Sequence, residues 1–407
     1  MNCRSCSTAV THTFLDLGFA PPSNAYLNPA QLSHSEKYYP LRLRVCHHCW
    51  LVQTEDYTGA DELFNSEYAY FSSTSASWLK HAANYAETVI QQLGLSADSL
   101  VVEVASNDGY LLKNFVSAGV PCLGIEPTES TASAARELGV PVLREFFGEG
   151  LGRQLSQRGQ QADLIVGNNV YAHVPDINDF TRGLKFLLKP RGTITLEFPH
   201  LLELITHSQF DTVYHEHFSY LSLYTVSGIL QRAGLRVTDV EPISTHGGSL
   251  RVYACHQHDE RPDTPAVANV LAKEAEFGLQ QLGVYQDFQE KADKVKNDLL
   301  AFLIEQKHLG KKVAAYGAAA KGNTLLNYAG VKPDLISFVC DAALSKQGKF
   351  MPGSHLPIVP PSVMLEQVPD FVLILPWNIA SEVREQNEGL RAQGARFVTA
   401  VPRLDVQ

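Results

Sequence analysis

The stretch Leu100-Val-Val-Glu-Val-Ala-Ser-Asn-Asp-Gly109 decides the fold of this chain. It opens with a short apolar run around one glutamate, which is typical of a buried strand. Small and polar residues follow at once, and a helical pattern begins near Tyr110. A tight turn of this kind presents backbone N–H groups and the positive end of a helix to a ligand. The stretch predicts a strand, a binding turn and a helix, although a helix cap with Asn107 or Asp108 as N-cap also explains it.

Apolar runs of strand length recur along the middle of the chain, with helical patterns between most of them. The runs span residues 121–125, 162–166, 193–198, 235–240 and 250–255. Alternating strands and helices predict a doubly wound α/β sheet. No helical pattern separates the last two runs, so we expect them to pair antiparallel at one edge of that sheet.

A polar helical region over residues 265–308 leads to a second α/β unit. Strands are expected at 311–317, 335–340 and 371–375, with a helix over 318–328. This pattern predicts a Rossmann-like domain at the C-terminal end of the chain.

Two CxxC pairs, Cys3-Arg-Ser-Cys6 and Cys46-His-His-Cys49, use four of the 7 cysteines. The spacing lets both thiolates of a pair point toward one metal ion, and two pairs complete a tetrahedral site. Such a site is closed to water, so we expect structural rather than catalytic Zn²⁺. Two disulfides or free thiols are the alternatives. We expect no secretory signal ahead of Cys3, which favours a reduced, cytoplasmic protein.

Composition restricts the choice of partners. A chain of 407 residues that is 45% hydrophobic can build two or three domains. No stretch approaches the roughly 20 apolar residues of a membrane helix. The net charge of -10 disfavours a nucleic-acid surface, because phosphate binding depends on clustered Lys and Arg. We therefore expect neither a membrane nor a nucleic acid as partner. The oligomeric state is left open, with a monomer among the options.

These patterns together predict three domains. Residues 1–65, rich in turn formers, would form a zinc-binding domain of short strands and loops. Residues 66–260 would form the doubly wound domain, and residues 261–407 the Rossmann-like domain.

Polar side chains lie in or at the ends of three strands of the predicted central sheet, near one edge. Glu103 precedes the first turn, and Glu126 ends the next strand. A carboxylate at the second position can accept hydrogen bonds from both hydroxyls of a ribose. Asn168 and Asn169 end the following strand at the same edge. These residues predict a nucleoside cofactor over the turn.

The segment Tyr214-His-Glu-His-Phe-Ser-Tyr220 is dense in titratable groups. Histidine can take a proton near neutral pH, and tyrosine and glutamate can orient it or polarise a substrate oxygen. The His-x-His spacing does not place two metal ligands on one helical face, so we interpret the segment as acid–base machinery. A polar loop with hydrogen-bonded histidines is the alternative.

Taken together, these motifs resemble the nucleotide-sugar C-methyltransferase family from end to end. The resemblance rests on the CxxC pairs, the turn after Glu103, Gly124-Ile-Glu-Pro127, Tyr171-Ala-His-Val-Pro-Asp176, Tyr214 to Tyr220 and Gly247-Gly-Ser-Leu-Arg251. It implies a zinc domain, a class I methyltransferase domain that binds S-adenosylmethionine, and a Rossmann-like C-terminal domain that contributes to nucleotide-sugar binding. Methyltransferases carry acidic-x-Gly-x-Gly-x-Gly at the turn, and this chain replaces two of the three glycines.

The resemblance implies a role for each candidate residue. S-adenosylmethionine would be held by Glu103, Ala105, Asn107, Gly109, Glu126, Asn168 and Asn169. The substrate would be a dTDP-linked 4-keto-deoxysugar, methylated on a carbon next to the ketone. His217 would remove the proton there, Tyr214 and Glu216 would orient it or support the enolate oxygen, and His173 and Tyr68 would line the sugar site. Other substrate contacts are expected from Ser72, Thr74, Asn323 and Lys321, the last at the diphosphate.

Two rival functions remain open at this point. One is O- or N-methylation of a small molecule, which needs no carbon base. The other is a zinc-knuckle binding module that uses the methyltransferase-like fold as a scaffold. The turn by itself also does not exclude a nicotinamide cofactor.

Overall fold

A computed structural model describes residues 1–57 and 71–407, and the first of its three sheets is N-terminal. This antiparallel sheet has the order β1-β2-β3-β9, with β1 at His12–Ala20, β2 at Tyr39–Val45, β3 at Val52–Thr54 and β9 at Ser219–Tyr220. The fourth strand was not predicted. It comes from the far end of the segment that carries His217, and it pairs Val52 with Tyr220 and Gln53 with Ser219.

The central sheet has seven strands in the order β10-β11-β8-β7-β4-β5-β6. Their bounds are β4 Val101–Val104, β5 Cys122–Ile125, β6 Val142–Leu143, β7 Ala162–Asn168, β8 Leu188–Pro199, β10 Leu235–Ile243 and β11 Ser249–His256. Strands β4 to β8 run parallel, while β11 is antiparallel to both β8 and β10. The predicted doubly wound sheet with an antiparallel edge pair is confirmed.

Helices cover both faces of this sheet. They are α1 Ala76–Leu93, α2 Leu112–Ser117, α3 Glu129–Glu137, α4 Glu149–Gln157, α5 Ile177–Leu187, α6 Leu201–Thr206 and α7 Leu223–Arg232. Helix α1 begins where the Ser75 side chain accepts a hydrogen bond from the Trp78 N–H, and it ends at Gly94, which is left-handed with φ 61°. Helices α4 and α5 pack closely where Gly152 has no side chain. A Cβ at that position would lie 2.4 Å from the Gly183 carbonyl oxygen.

The C-terminal sheet has the order β14-β13-β12-β15-β16-β17. Its strands are β12 Val313–Tyr316, β13 Val339–Cys340, β14 Ile358–Val359, β15 Phe371–Ile374, β16 Arg396–Thr399 and β17 Asp405–Val406. The accompanying helices are α8 Pro265–Phe277, α9 Gly283–Gln286, α10 Phe288–His308, α11 Ala320–Tyr328, α12 Pro361–Gln367, α13 Ala380–Gln386 and α14 Glu388–Ala392. The strand expected over 335–340 shortens to the two residues of β13.

The N-terminal and C-terminal sheets share one hydrophobic core. Phe14 of β1 stacks on Phe288 of α10 at a ring distance of 4.7 Å. The loop after β1 reaches further, because Leu27 pairs with Phe350 and the Tyr26 hydroxyl donates to the Ala318 carbonyl at 2.5 Å. The N-terminal and C-terminal parts of the chain therefore pack directly against each other. None of the helices within the described residues combines the length and apolar character needed to cross a bilayer.

Candidate functional site

Four sulfur atoms from two turns lie together beside the N-terminal sheet. The Sγ atoms of Cys3 and Cys49 are 3.5 Å apart, those of Cys6 and Cys46 are 3.6 Å apart, and all four lie within 4.8 Å of one another. Tetrahedral zinc with Zn–S bonds of about 2.3 Å holds its sulfurs about 3.8 Å apart, so the four atoms fit one Zn²⁺. These separations exceed a disulfide bond of about 2.05 Å, and all the cysteines are free.

The first CxxC turn, residues 3–6, is also bound to the loop before α5 and to the start of that helix. Arg4 donates from Nη1 to the Pro175 carbonyl at 2.9 Å and from Nη2 to the Thr54 carbonyl at 3.0 Å. Asn178, in the first turn of α5, donates to the Arg4 carbonyl at 3.0 Å. The metal-binding turn therefore contacts the segment that follows His173.

The turn between β4 and α2 holds three residues in the left-handed conformation. Their φ angles are 59° at Ala105, 50° at Asn107 and 76° at Gly109. These are the positions where the methyltransferase motif has glycine, which adopts this conformation freely. Asparagine tolerates it, whereas another L-residue such as alanine is destabilised by about 1 to 2 kcal/mol. The turn thus keeps the backbone shape of the motif with only one of its glycines.

Glu126 closes this turn from the neighbouring strand β5. It is 5% exposed and accepts hydrogen bonds from the N–H groups of Asn107 and Thr128, both at 3.0 Å. Each carboxylate oxygen keeps a further lone pair that could accept a hydrogen bond from a ribose hydroxyl. Gly124 permits the close approach of strand and turn, because a Cβ there would lie 2.4 Å from Ser106 Oγ.

The end of β7 presents amide groups that lack partners. Both side-chain amide atoms of buried Asn168 have no hydrogen-bond partner among the described residues, and the same holds for Oδ1 of Asn169. Nδ2 of Asn169 is 3.2 Å from His246 Nε2. Leaving a buried polar group unsatisfied costs about 1 to 3 kcal/mol. The unsatisfied amides therefore indicate a polar ligand at this edge of the sheet.

One cavity of about 390 Å³ joins the turn, the strand ends and the Tyr214 segment. Most of the predicted site residues line it, namely Ser72, Ala105, Asn107, Glu126, Asn168, Asn169, His173, Tyr214, Glu216, His217 and Lys321. The structure thus brings the expected cofactor and catalytic residues to one space.

Three predicted residues do not line this cavity in the described part of the chain. Burial raises the pKa of the Glu103 carboxyl in β4 well above its usual range, and the nearby carboxylate of Asp108 adds to the effect. Gly109 packs against α3, and Asn323 donates to the Ser23 carbonyl at 2.5 Å. Tyr68 and the side chain of Thr74 fall outside the described residues.

His217 is the most enclosed imidazole of the cavity, at 7% exposure. Its Nδ1 is 3.0 Å from the Thr212 carbonyl, which can only accept, so Nδ1 carries the proton and Nε2 is the basic nitrogen. Its ring lies 4.0 Å from that of Tyr214 and 4.5 Å from that of His173. Burial, reinforced by the neighbouring His173, lowers the pKa of His217 well below its usual value. His217 is therefore neutral at pH 7 and free to accept a proton.

Glu216 accepts hydrogen bonds from Asn24, a residue that the sequence did not point to. Asn24, in the loop after β1, donates from Nδ2 to the Glu216 carboxylate, with both oxygens at 3.2 Å. Burial raises the pKa of Glu216 to about 7 despite this hydrogen bond. His215 lies on the other side of the segment, with its ring 6.0 Å from that of Tyr39. The N-terminal region therefore supplies part of the wall around the histidines.

A buried polar network holds Arg251, the last residue of the Gly-Gly-Ser-Leu-Arg motif. Arg251 lies 2.6 Å from Glu197 at the end of β8, and His81 lies 3.0 Å from the same carboxylate. Trp78, which lines the cavity, stacks on His81 at 4.9 Å and contacts His246 at 5.1 Å. No local sequence signal pointed to Glu197, Trp78 or His246, because their partners are distant in the chain.

The cavity fits the nucleoside cofactor that the sequence predicts. A carboxylate after the second strand, unsatisfied amides after the fourth and a left-handed turn after the first lie at its edge. Phe146 and Phe147 also line it, and Phe146 is 58% exposed. An aromatic wall beside a ribose-binding carboxylate suits an adenine ring.

Comparisons with known families cover nearly the whole chain. Residues 3–64 match a zinc binding domain, residues 78–240 a methyltransferase domain, and residues 244–402 the C-methyltransferase C-terminal domain. C-methyltransferase NovU of Streptomyces niveus is 34% identical over 400 residues, which is 98% of this chain and 95% of the relative.

Two further similarities are partial. An uncharacterized methyltransferase of Mycobacterium leprae is 28% identical over 24% of this chain and 36% of its own length. A solved S-adenosylmethionine-dependent methyltransferase from Clostridium acetobutylicum aligns over 44% of this chain and 92% of its own, with 11% identity and a TM-score of 0.35. That score is too low to carry an argument.

The fold and the cavity define a class I methyltransferase that uses S-adenosylmethionine. More particularly, the chain belongs to the C-methyltransferase family. This membership favours carbon over oxygen or nitrogen as the methyl acceptor and an enzyme over a binding scaffold. It also gives the protein a zinc-binding domain, into which the four clustered cysteines fit.

We predict one zinc ion per chain. Cys46→Ser should lose the metal and misfold the first ~65 residues, because an incomplete thiolate site no longer organises them. Since β9 pairs with β3, the variant should also lose methyl transfer. Elemental analysis and activity assays test this, with Cys122→Ala in β5 as a variant that keeps its zinc. Metal-free protein from a purification without chelator would contradict the prediction.

Glu126→Ala should weaken S-adenosylmethionine binding by about 1 to 3 kcal/mol, the range for hydrogen bonds to a charged acceptor. Isothermal titration calorimetry measures the effect. Glu129→Ala is a matched control, because Glu129 pairs with Arg144 on the surface and does not line the cavity. Unchanged affinity in a folded Glu126→Ala protein would show that this carboxylate does not hold the ribose.

Glu216 should make stability depend on pH. Its pKa rises from 4.5 to about 7 on folding, so its ionisation opposes folding. The destabilisation begins above the unfolded pKa and is complete above the folded one, where it reaches about 3 kcal/mol. Glu216→Gln should therefore melt higher relative to wild type at pH 8 than at pH 5. A difference in melting temperature that does not change with pH would refute this.

Proposed function

We propose that this C-methyltransferase acts on a nucleoside-diphosphate sugar, a dTDP-linked 4-keto-deoxysugar, at a carbon next to the ketone. The observation that carries the proposal is the enclosed, neutral His217, whose Nδ1 proton is held by the Thr212 carbonyl. Methyl transfer to oxygen or nitrogen needs no base that removes a proton from carbon, whereas an acceptor carbon must first lose a proton. A carbonyl next to that carbon makes the proton removable, which is why a keto sugar suits this site.

In the proposed reaction the C–H bond next to the ketone breaks, and Nε2 of His217 takes the proton. The electron pair moves into the enolate, with its charge on the former ketone oxygen. When bound, S-adenosylmethionine would supply a sulfonium methyl group to the enolate carbon, with the S–CH3 bond breaking and S-adenosylhomocysteine as the leaving group. The Thr212 carbonyl would fix the tautomer of His217 before the reaction and stabilise the imidazolium afterwards, because it accepts a hydrogen bond from Nδ1 in both states.

Neighbouring side chains would orient the base and the sugar. The ring of Tyr214 lies 4.0 Å from that of His217 and would hold its plane. The half-protonated Glu216, with a pKa of about 7, would donate to or accept from a sugar hydroxyl. His173, whose pKa burial lowers to about 4, would contact the sugar as a neutral group. Tyr68, Ser72 and Thr74 remain proposed substrate contacts.

The other site assignments are also proposals. We propose that Glu126, Asn107, Asn168 and Asn169 contact S-adenosylmethionine directly, and that Glu103 and Gly109 shape the turn behind it. Asn323, whose side chain is bound to the Ser23 carbonyl, would support the substrate site through the loop after β1.

We also propose that the chain divides into domains at residues 1–65, 66–260 and 261–407, with β9 of the second domain added to the sheet of the first. The last would contribute to nucleotide-sugar binding through the first turn of α11, which reaches the cavity at Lys321. A cytoplasmic setting is proposed because thiolate ligands and free thiols persist in a reducing compartment.

His217→Asn should lower methyl transfer by about 10² to 10⁴, the usual contribution of a general base, while cofactor affinity and fold are retained. Mass-spectrometric assay of the methylated sugar nucleotide measures the rate. His207→Asn is the matched control, because His207 is exposed and pairs with Glu203. Near wild-type activity in His217→Asn would move the role of base to His173 or Tyr214.

A further inference from the structure

Lys321 occupies an unusual place for a lysine. It lies in the first turn of α11 and lines the cavity that also contains His217. Its Nζ donates to Asn378 Oδ1 at 2.7 Å and sits 4.6 Å from the ring centre of Trp377. An ammonium group has three N–H donors, and Asn378 is the one acceptor assigned to it within the described residues. Lys321 can therefore offer hydrogen bonds to a ligand in the cavity.

A buried carboxylate balances this charge. Asp211 is fully buried and accepts a hydrogen bond from Trp377 Nε1 at 2.7 Å. Burial raises the pKa of Asp211 to about 6, against the pull of the Lys321 ammonium and the Trp377 hydrogen bond. Trp377 packs against Gly247, where a Cβ would lie 2.4 Å from the indole ring. The ammonium is thus held by an indole face, an amide and a counter-charge.

The proposed reaction needs a positive group at one particular place. His217 is a weak base, because burial lowers its pKa. Proton removal by a weak base depends on stabilising the negative charge that develops on the ketone oxygen. Lys321 and Lys346 are the cationic Lys or Arg side chains that line the cavity in the described chain. Lys346 donates to the Ala318 carbonyl at 2.8 Å and lies 3.7 Å from Asp341 Oδ2.

The field of Lys321 already reaches the histidines of the cavity. It contributes to the lowered pKa of His217, and it is the second cause, after burial, of the lowered pKa of His246. A diphosphate spreads its charge over two phosphates, whereas the ammonium of Lys321, whose charge Asp211 partly balances, matches one developing oxyanion. These observations favour a role for Lys321 at the ketone oxygen over the predicted role at the diphosphate.

We propose that Lys321 donates a hydrogen bond to the ketone oxygen of the substrate and stabilises the enolate formed when His217 removes the neighbouring proton. Asp211, Trp377 and Asn378 position its ammonium. The proton moves from carbon to Nε2 of His217, the electron pair moves toward oxygen, and nothing is oxidised or reduced. This inference rests on the proposed function, since it requires a keto sugar in the cavity.

Lys321→Met tests the proposal because it keeps the length of the side chain and removes the charge. With a dTDP-linked 4-keto-deoxysugar, kcat should fall by about 10² to 10³, the range for losing one oxyanion donor. Dissociation constants for dTDP and for S-adenosylmethionine, measured by calorimetry, should stay within about twofold of wild type. Lys294→Met, on the surface of α10, is the matched control and should leave all three quantities unchanged.

The outcomes separate the possible roles. A Lys321→Met enzyme with kcat near wild type overturns the proposal. A variant that loses affinity for dTDP but keeps kcat at saturating substrate also overturns it, and this result would assign Lys321 to binding of the diphosphate. If Lys321→Met no longer binds S-adenosylmethionine, the same measurements are made on Lys321→Gln. A kcat of Lys321→Gln within about threefold of wild type would then overturn the proposal. Wild-type protein that does not methylate the keto sugar nucleotide refutes the proposed function itself.

Discussion

Backbone pairing between β3 and β9 is the constraint on which the active cavity depends. Strand β3 follows the second CxxC turn, and β9 follows the segment that carries His217. Thr54 N–H donates to the Phe218 carbonyl at 3.2 Å, and Phe218 N–H donates to the Ala172 carbonyl at 2.8 Å, next to His173. The zinc site therefore fixes both histidines through main-chain hydrogen bonds. A metal ion at the four cysteines would therefore support, through β3 and β9, the segment that carries the proposed catalytic residues.

Enclosure of the cavity sets its electrostatics. Desolvation lowers the pKa of His173, His217 and His246 and raises that of Glu216, so each group moves toward its neutral form. A neutral imidazole can accept a proton. Because its basicity is low, the proposed reaction also requires a group that stabilises the negative charge developing on the ketone oxygen. We propose that Lys321, which lies in the first turn of α11 and lines the same cavity, meets that demand. The proposed mechanism therefore uses residues from the N-terminal, central and C-terminal parts of the chain.

Several features of the fold and the site were accessible from local patterns. The alternating runs predicted the central sheet and its antiparallel edge, and the CxxC spacing predicted the sulfur cluster. Glu126 could be predicted as a candidate residue because a strand, a glycine-containing run and a carboxylate are adjacent in sequence. The lowered pKa of His217 could not be predicted, because the ordinary value of about 6.5 holds only in water and burial depends on residues far along the chain.

The sequence by itself therefore determined the central sheet, the cluster of four cysteines and the polar groups at one sheet edge, because these follow from spacing and periodicity along a short stretch of chain. Only the tertiary structure decided that Ser219–Tyr220 joins the zinc sheet, that Asn24 meets Glu216 and that Lys321 faces the histidines beside Asp211. Each of these pairs residues that are distant in the chain. Their contact is fixed by which apolar faces bury one another, as where Phe14 stacks on Phe288, and no local pattern records that choice.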